Sequence, residues 1–446
     1  MPATFRTTIR CRSTRRCDSG ATRRRSTATR TVSETTHPVS ETTRPRSRTT
    51  RRLVDVTTAL LLAFAALLAT PARSQTTAVD RAQVGRQVFF DATLSEPRGV
   101  SCASCHNPDL GWAGNNGSVT GVAAGSHRDR LGRRNTPTVS YAAFVPPFAV
   151  KAVREDGRWV RKAVGGLFWD GRASSFEEQA RGPLFAAAEM NLSGEADLAA
   201  RLRAAPYADA LRAAFGLSAD ADDATWAAAG IAALGAFQRS PEVSPFSSKY
   251  DAVLRREARF TPAEARGRRL FMAEDKGNCA ACHVVAERSR DPRRHLFTDF
   301  TYDALGLARN PRIPANADPD FFDLGLCGPD RRRPDGLDAA VCGAFRVPTL
   351  RNVAKRPFYF HNGLFTDLAQ AVRFYVQRDT HPRDWYPRGG GNRVLRFDDL
   401  PARHRGNVNV DEAPYDRRPG QAPRLSEAEI ADVVAFLRTL DDGYTR

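Results

Sequence analysis

Three stretches of the chain place apolar residues at helical spacing behind a recognisable start. Thr261-Pro262-Ala263-Glu264 has the capping-box pattern with Pro at the first helical position, and Ala265, Leu270 and Phe271 follow on one face. Asp80 with Gln83 opens a similar segment through Val84, Val88 and Phe89. Ser426-Glu427-Ala428-Glu429 opens the last one, whose apolar positions are Ile430, Val433, Val434, Phe436, Leu437 and Leu440. Residues 186–240 are rich in Ala and Leu and predict two or three core helices. Two-residue alternation is weak, with one exception: residues 149–164 alternate around Asp156-Gly157 and predict a β-hairpin. Residues 286–345 and 378–424 are rich in Pro, Gly, Arg and Asp and predict long ordered loops. The pattern describes a mainly α, loop-rich protein with a small β-hairpin insertion.

The formal charge of +17 changes little once it is located, because residues 1–52 alone carry 14 Arg, no Lys and 3 acids, a net of +11. That Arg/Thr/Ser-rich stretch cannot bury a core, and a start codon assigned too far upstream would account for it. Residues 75–446 keep a net of +6, an ordinary value that gives no ground for nucleic-acid binding. Residues 53–74 hold an eleven-residue apolar run, 59–69, behind Arg51 and Arg52, ending at Pro71, Ala72 and Ser74. The run is too short to span a bilayer and has small residues where a signal peptidase cuts, so it reads as a signal for export to the periplasm, an uncleaved anchor being the alternative. Cys11 and Cys17 would then lie outside the mature protein. In an oxidising compartment Cys327 and Cys342 predict a disulfide across the loop between them, two free thiols being the alternative.

The remaining four cysteines lie in two copies of one pentapeptide, Cys102-Ala103-Ser104-Cys105-His106 and Cys279-Ala280-Ala281-Cys282-His283. C-x-x-C-H is the attachment pattern of a c-type haem: the two thiols meet the two vinyl groups and the His supplies the proximal nitrogen to iron. A pair of zinc knuckles would not require a His after the second Cys both times. The chain is expected to hold two covalent haems. A predicted helix precedes each motif, so a haem module is duplicated, with a first domain over 75–248 and a second over 249–446.

Phe168-Trp169-Asp170-Gly171-Arg172-Ala173 is followed by Gln179, Pro183 and Glu189 at ten, fourteen and twenty residues after the Trp. With residues 134–138 (RNTPT), 347–353 (VPTLRNV) and His361-Asn362-Gly363, this set resembles the bacterial di-haem cytochrome c peroxidase and MauG family over residues 80–441. The resemblance implies two cytochrome c-like haem domains and a peroxidatic first haem on His106, with Glu189 on its far side beside Gln179 and Pro183. A carboxyl there would take a proton from one peroxide oxygen and deliver it to the other. Trp169 would relay electrons between the haems, and Asp170 and Arg172 would pair or bind a propionate. His127, eight residues before Asn135, falls where the peroxidase branch has a displaceable ligand of the first iron; a solvent-exposed loop His is the alternative. Fourteen residues after His361, where that branch has Met, this chain has Tyr375, as in MauG. An anionic oxygen ligand would lower the second haem's potential relative to a thioether. His381, His404, no protein ligand, and Tyr375 as a packing residue stay open. The family also implies one Ca2+ between the domains, held by Asn135 and carbonyls at positions 356 and 358.

The leading expectation is a periplasmic di-haem peroxidase that reduces hydrogen peroxide with electrons from a small c-type cytochrome or cupredoxin. The alternatives are a MauG-type oxidase acting on a partner protein and a di-haem electron carrier; a homodimer is left open.

Overall fold

The computed structural model describes residues 80–155 and 157–445. The presequence over 1–52, the signal over 53–74 and Cys11 and Cys17 lie outside the described residues. The expected helices form where their caps are. Helix α1 (Arg81–Phe90) starts at Asp80, whose carboxylate accepts from the Ala82 amide at 2.9 Å, and it buries Val84, Val88 and Phe89. The Ala/Leu-rich region follows α2 (Phe176–Phe185) and supplies three helices, α3 (Glu195–Ala204), α4 (Ala208–Phe215) and α5 (Asp223–Gln238). After α6 (Lys249–Leu254) comes α7 (Pro262–Met272), with the Thr261–Glu264 capping box formed. Two further helices follow, α8 (Leu368–Gln377) and α9 (Glu427–Arg438), α9 again with its Ser426–Glu429 box in place, and single helical turns stand at Cys102–Cys105 and Pro382–Trp385. No helix among the described residues is long and apolar enough to cross a membrane.

The protein is mostly helical with two small antiparallel sheets. Strands β1 (Ala149–Glu155) and β2 (Arg158–Val164) form the expected hairpin. The second sheet, β3 (Tyr302–Asp303) with β4 (Phe345–Arg346), was not expected, because two-residue strands have no periodicity to read.

Two helix crossings repeat each other. Helix α1 passes α5 so closely that a Cβ on Gly85 would lie 1.9 Å from the Ala233 carbonyl oxygen and 3.0 Å from the Phe237 Cβ. Helix α7 passes α9 in the same manner: a Cβ on Gly267 would lie 1.9 Å from the Asp432 carbonyl oxygen and 3.0 Å from the Phe436 Cβ. Only glycine permits either approach. Each crossing seeds a core. The first gathers Val84, Phe89, Trp112, Leu184, Leu202 and Phe237; the second gathers Phe271, Phe297, Phe374, Ile430, Val433 and Phe436.

A buried ion pair of the second half lies against residues of the first. Arg351 and Asp251 are both fully buried, with Nη1 to Oδ2 at 2.7 Å, and the Arg351 Nε donates to the His295 carbonyl at 2.9 Å. Its guanidinium lies 5.2 Å from the Tyr141 ring and 5.1 Å from that of Phe246. The Tyr141 hydroxyl in turn donates to Asp442 at 2.8 Å, and the Asn352 amide bridges Ser140 and Asp442. Arg351→Ala leaves the buried Asp251 carboxyl without its cation, with only Ser248 donating to it, and is expected to lower the stability of the haem-loaded protein by about 3–5 kcal/mol in chemical denaturation. Unchanged denaturation would show that solvent reaches Asp251.

Candidate functional site

Cys102 and Cys105 stand at the two ends of a single helical turn, held at its start by the Ser104 hydroxyl accepting from the Ser101 amide at 3.0 Å. The turn brings Cys102, Cys105 and His106 to the lining of a cavity of about 640 Å³ including its opening. The His106 Nδ1 lies 3.3 Å from the Trp112 carbonyl, which fixes the proton on Nδ1 and leaves Nε2 free to ligate. Burial holds the ring neutral by lowering its pKa to about 4, against the opposing pull of the Trp112 and Pro137 carbonyls.

Other lining residues come from α2 and the turn after it. Gln179 and Pro183 are one helical turn apart on α2 and both line the cavity. Pro183, with no N–H, interrupts the ladder inside α2, which continues until the Ala186 amide donates to the Gly182 carbonyl at 2.9 Å; the chain then folds back so that the Met190 amide donates to the Pro183 carbonyl at 3.0 Å. This turn carries Glu189 into the same cavity. A second loop braces it: the Ser126 amide donates to the Glu189 carbonyl at 2.7 Å, and Gly125 has no room for a side chain, since a Cβ would lie 2.4 Å from the Ala188 carbonyl oxygen. By surface area Glu189 is exposed, yet protein atoms are packed densely around its carboxyl. Its pKa is accordingly raised by desolvation, with Arg172 opposing the rise and Asp330 adding to it.

The second cavity is larger, about 2040 Å³ including its opening, and is lined by Cys279, Cys282 and His283. The His283 Nδ1 is 2.9 Å from the Phe297 carbonyl, the same arrangement as at His106. Val372, Tyr375 and Val376 of α8, Val433 and Leu437 of α9, and Tyr415 form apolar walls. The Tyr375 ring sits 5.4 Å from Phe360 and 6.0 Å from Tyr415, and burial, reinforced by Cys282 and Asp303, holds its hydroxyl protonated. His381 and His404 do not line this cavity; His381 bonds Thr380 at 2.8 Å and His404 lies beside Arg403 and Asn407.

Trp169 lines the second cavity, with its indole N–H donating to the Asn135 carbonyl at 2.7 Å. Next to it Asp170, fully buried, is held by Arg134 at 2.8 Å and Arg172 at 3.0 Å, while Arg134 also grips Asp323 through two bonds of 2.5 and 2.7 Å. Asn135 and the Phe358 carbonyl are adjacent, but the Asn135 amide donates to the Phe358 and Phe360 carbonyls, each at 3.1 Å. A cation there needs Oδ1 in place of Nδ2. His127 is half-buried on its loop, its carbonyl accepting from the Arg130 amide, and it does not line the first cavity. Cys327 and Cys342 are joined as a disulfide.

Several cavity residues carried no role in the sequence. His361 stacks on Phe345 with centroids 3.5 Å apart and bonds Asp399 at 3.1 Å, and all three line the second cavity. Arg346 and Arg356 line it as well, and neither has a carboxylate within ion-pair distance among the described residues. Desolvation lowers both guanidinium pKa values, that of Arg356 to about 10, and the Arg356 Nε has no hydrogen-bond partner. Enclosed cations without counter-charges call for an anion. A haem, with an apolar macrocycle and two carboxylates, fits thiols, imidazole, apolar walls and two such arginines.

The sequence profile of the family described as "Di-haem cytochrome c peroxidase" matches residues 79–259. The chain is 40% identical over 299 residues to the methylamine utilization protein MauG of Paracoccus denitrificans, covering 66% of this chain and 73% of that protein. It is 30% identical over 305 residues to the cytochrome c551 peroxidase of Pseudomonas aeruginosa, covering 68% and 73%. Among solved structures, the diheme peroxidase BthA from Burkholderia thailandensis superposes with a TM-score of 0.73 at 42% identity, over 81% of this chain and 86% of that one.

Proposed function

Because the chain belongs to the di-haem cytochrome c peroxidase and MauG family of peroxide-dependent oxidoreductases, which carry two c-type haems, we propose that it reduces hydrogen peroxide to water in the His106 cavity. Electrons would enter at the His283 cavity from a small c-type cytochrome or cupredoxin. One observation carries this reading: Gln179, Pro183 and Glu189 line the cavity bounded by Cys102, Cys105 and His106. A pure electron carrier needs no carboxyl there.

When bound, the haems supply the iron that meets peroxide and the path for electrons. The chain's own groups do the rest. Glu189, a desolvated carboxyl with a raised pKa, holds and moves the peroxide protons. The Gln179 amide orients the substrate, and Pro183 with Leu184 keeps that wall dry. Trp169, fixed by its bond to the Asn135 carbonyl, serves as the relay from the second cavity. Asn135 and the nearby carbonyls would hold one Ca2+ once the Asn135 amide is turned. His127 reaches the first iron only if its loop moves. The two haem domains divide near residue 248, and the protein works in the periplasm, in keeping with the Cys327–Cys342 disulfide.

Tyr375 favours a second reading, in which peroxide is used to oxidise residues of a partner protein, as its lining of the second cavity suits an oxygen ligand that lowers the potential there. Steady-state oxidation of a reduced small cytochrome c by hydrogen peroxide separates the two. Rapid turnover, faster after pre-reduction, is the expected result for the peroxidase with His127 as a displaceable ligand. Peroxide consumption that leaves the cytochrome reduced would overturn it in favour of the second reading.

A further inference from the structure

Trp159, on β2, is 72% exposed, the largest exposed aromatic side chain among the described residues. In the hairpin register Arg154 stands opposite Trp159, Ala152 opposite Arg161 and Val150 opposite Ala163, so these six residues share one face. The face grades from buried to open. Ala163 lies in a small core with Leu326, Leu337 and Ala344, and Val150 packs against it. Arg161 lies over Gly336 of the disulfide-closed loop, where an added Cβ would meet its guanidinium at 2.4 Å. Arg154 and Trp159 then stand in solvent. Five Lys and Arg residues occupy the hairpin against Glu155 and Asp156, and none of the six residues on this face is acidic.

The base of the hairpin is fixed beside the second cavity. The Gly165 amide donates to the Phe300 carbonyl at 2.9 Å and the Tyr302 hydroxyl to the Gly165 carbonyl at 2.6 Å; the next residue, Asp303, lines that cavity. Lys162 lies near enough to act electrostatically on the Cys282 sulfur.

We propose that Arg154, Trp159 and Arg161, braced by the loop between Cys327 and Cys342, form the docking surface for an acidic protein that exchanges electrons with the second haem. The proposal rests on the reading of the His283 cavity as the electron port. An exposed Trp flanked by arginines is the composition that concentrates binding energy at protein interfaces, and the arginine forks match surface carboxylates. A second copy of this chain is a poor occupant, since residues 75–446 carry a net +6 and would bring like charge.

The test uses Trp159→Ser and Arg154→Glu in the protein with both haems attached, driven by peroxide with three reductants: an acidic c-type cytochrome, a basic one and ferrocyanide. Each variant is expected to raise KM for the acidic cytochrome about tenfold with kcat nearly unchanged. Arg154→Glu should also flatten the fall of that rate with ionic strength. Turnover with ferrocyanide and with the basic cytochrome should stay as in the wild type. An unchanged KM and salt dependence for the acidic cytochrome in both variants would overturn the surface and leave the peroxidase reading intact. If the wild type fails to turn over even with ferrocyanide, the peroxidase reading falls instead, and direct titration of the acidic cytochrome decides the surface: binding weakened by Trp159→Ser supports it, and unweakened binding overturns it. Trp159-dependent sedimentation with phosphatidylglycerol vesicles without cytochrome binding would overturn it in favour of a lipid surface.

Discussion

Glu189→Gln is expected to lower kcat/KM for hydrogen peroxide by about two to four orders of magnitude, the usual contribution of a positioned acid–base group. The amide keeps the size and polarity of the side chain in the cavity wall, so both haem spectra should survive. The pH profile carries the more specific signature. A carboxyl whose pKa is raised by desolvation ionises later than an ordinary one, so the wild-type rate should climb as pH rises through that shifted value, and the variant should lack the limb. The stability sign follows from the same shift. Between the ordinary and the raised pKa the folded chain holds a proton that the unfolded chain has lost, so stability falls as pH rises through that window. Glu189→Gln removes that fall. A variant with wild-type turnover would remove Glu189 from the chemistry.

Tyr375→Phe is expected to change the ligand-field spectrum of the second haem and raise its potential by on the order of 0.1 V or more, since axial ligation spans about 0.8 V across haem proteins. The substitution removes one oxygen and keeps the ring against Phe360 and Tyr415, so lost packing does not explain a spectral change. The hydroxyl is held protonated by its surroundings, and only a metal's charge would favour the phenolate there. The first haem's spectrum, read in the same sample, serves as the internal control. An unaltered second-haem spectrum would make Tyr375 a packing residue and reopen the question of its axial partner.

What could be read from the sequence was local. The haem pentapeptides declare their chemistry within five residues. The capping boxes at Thr261 and Ser426 and the turn between β1 and β2 declare theirs within four, and each element formed where its signal lay. The offsets from Trp169 to Gln179, Pro183 and Glu189 were visible as a pattern. That they line one cavity with His106 depends on the reversal after Pro183, which no spacing reveals. Arg346 and Arg356 could not be distinguished in a chain with 67 basic residues, because what sets them apart is enclosure without a carboxylate. His361 and Asp399 meet across a segment that includes α8, and Asp399 lies in a stretch whose composition said only that it was a loop. Helix α5 read as an Ala/Leu-rich core segment. Its part as the counterpart of α9 appears only once Gly85 is seen against Ala233.

That pair of glycine crossings bears on how the protein is assembled. Each joins a helix just before a haem motif to one far downstream, so each pair of thiols is synthesised long before the helix that closes its half. Val433 and Leu437, part of the second cavity's wall, lie on α9, made long after both thiols. Until α9 arrives, Cys279 and Cys282 stand on an open turn that an attachment enzyme can reach. Once Gly267 has seated against Asp432, that wall is in place. A haem must therefore reach the thiols either before α9 seats or through the opening that the finished cavity keeps.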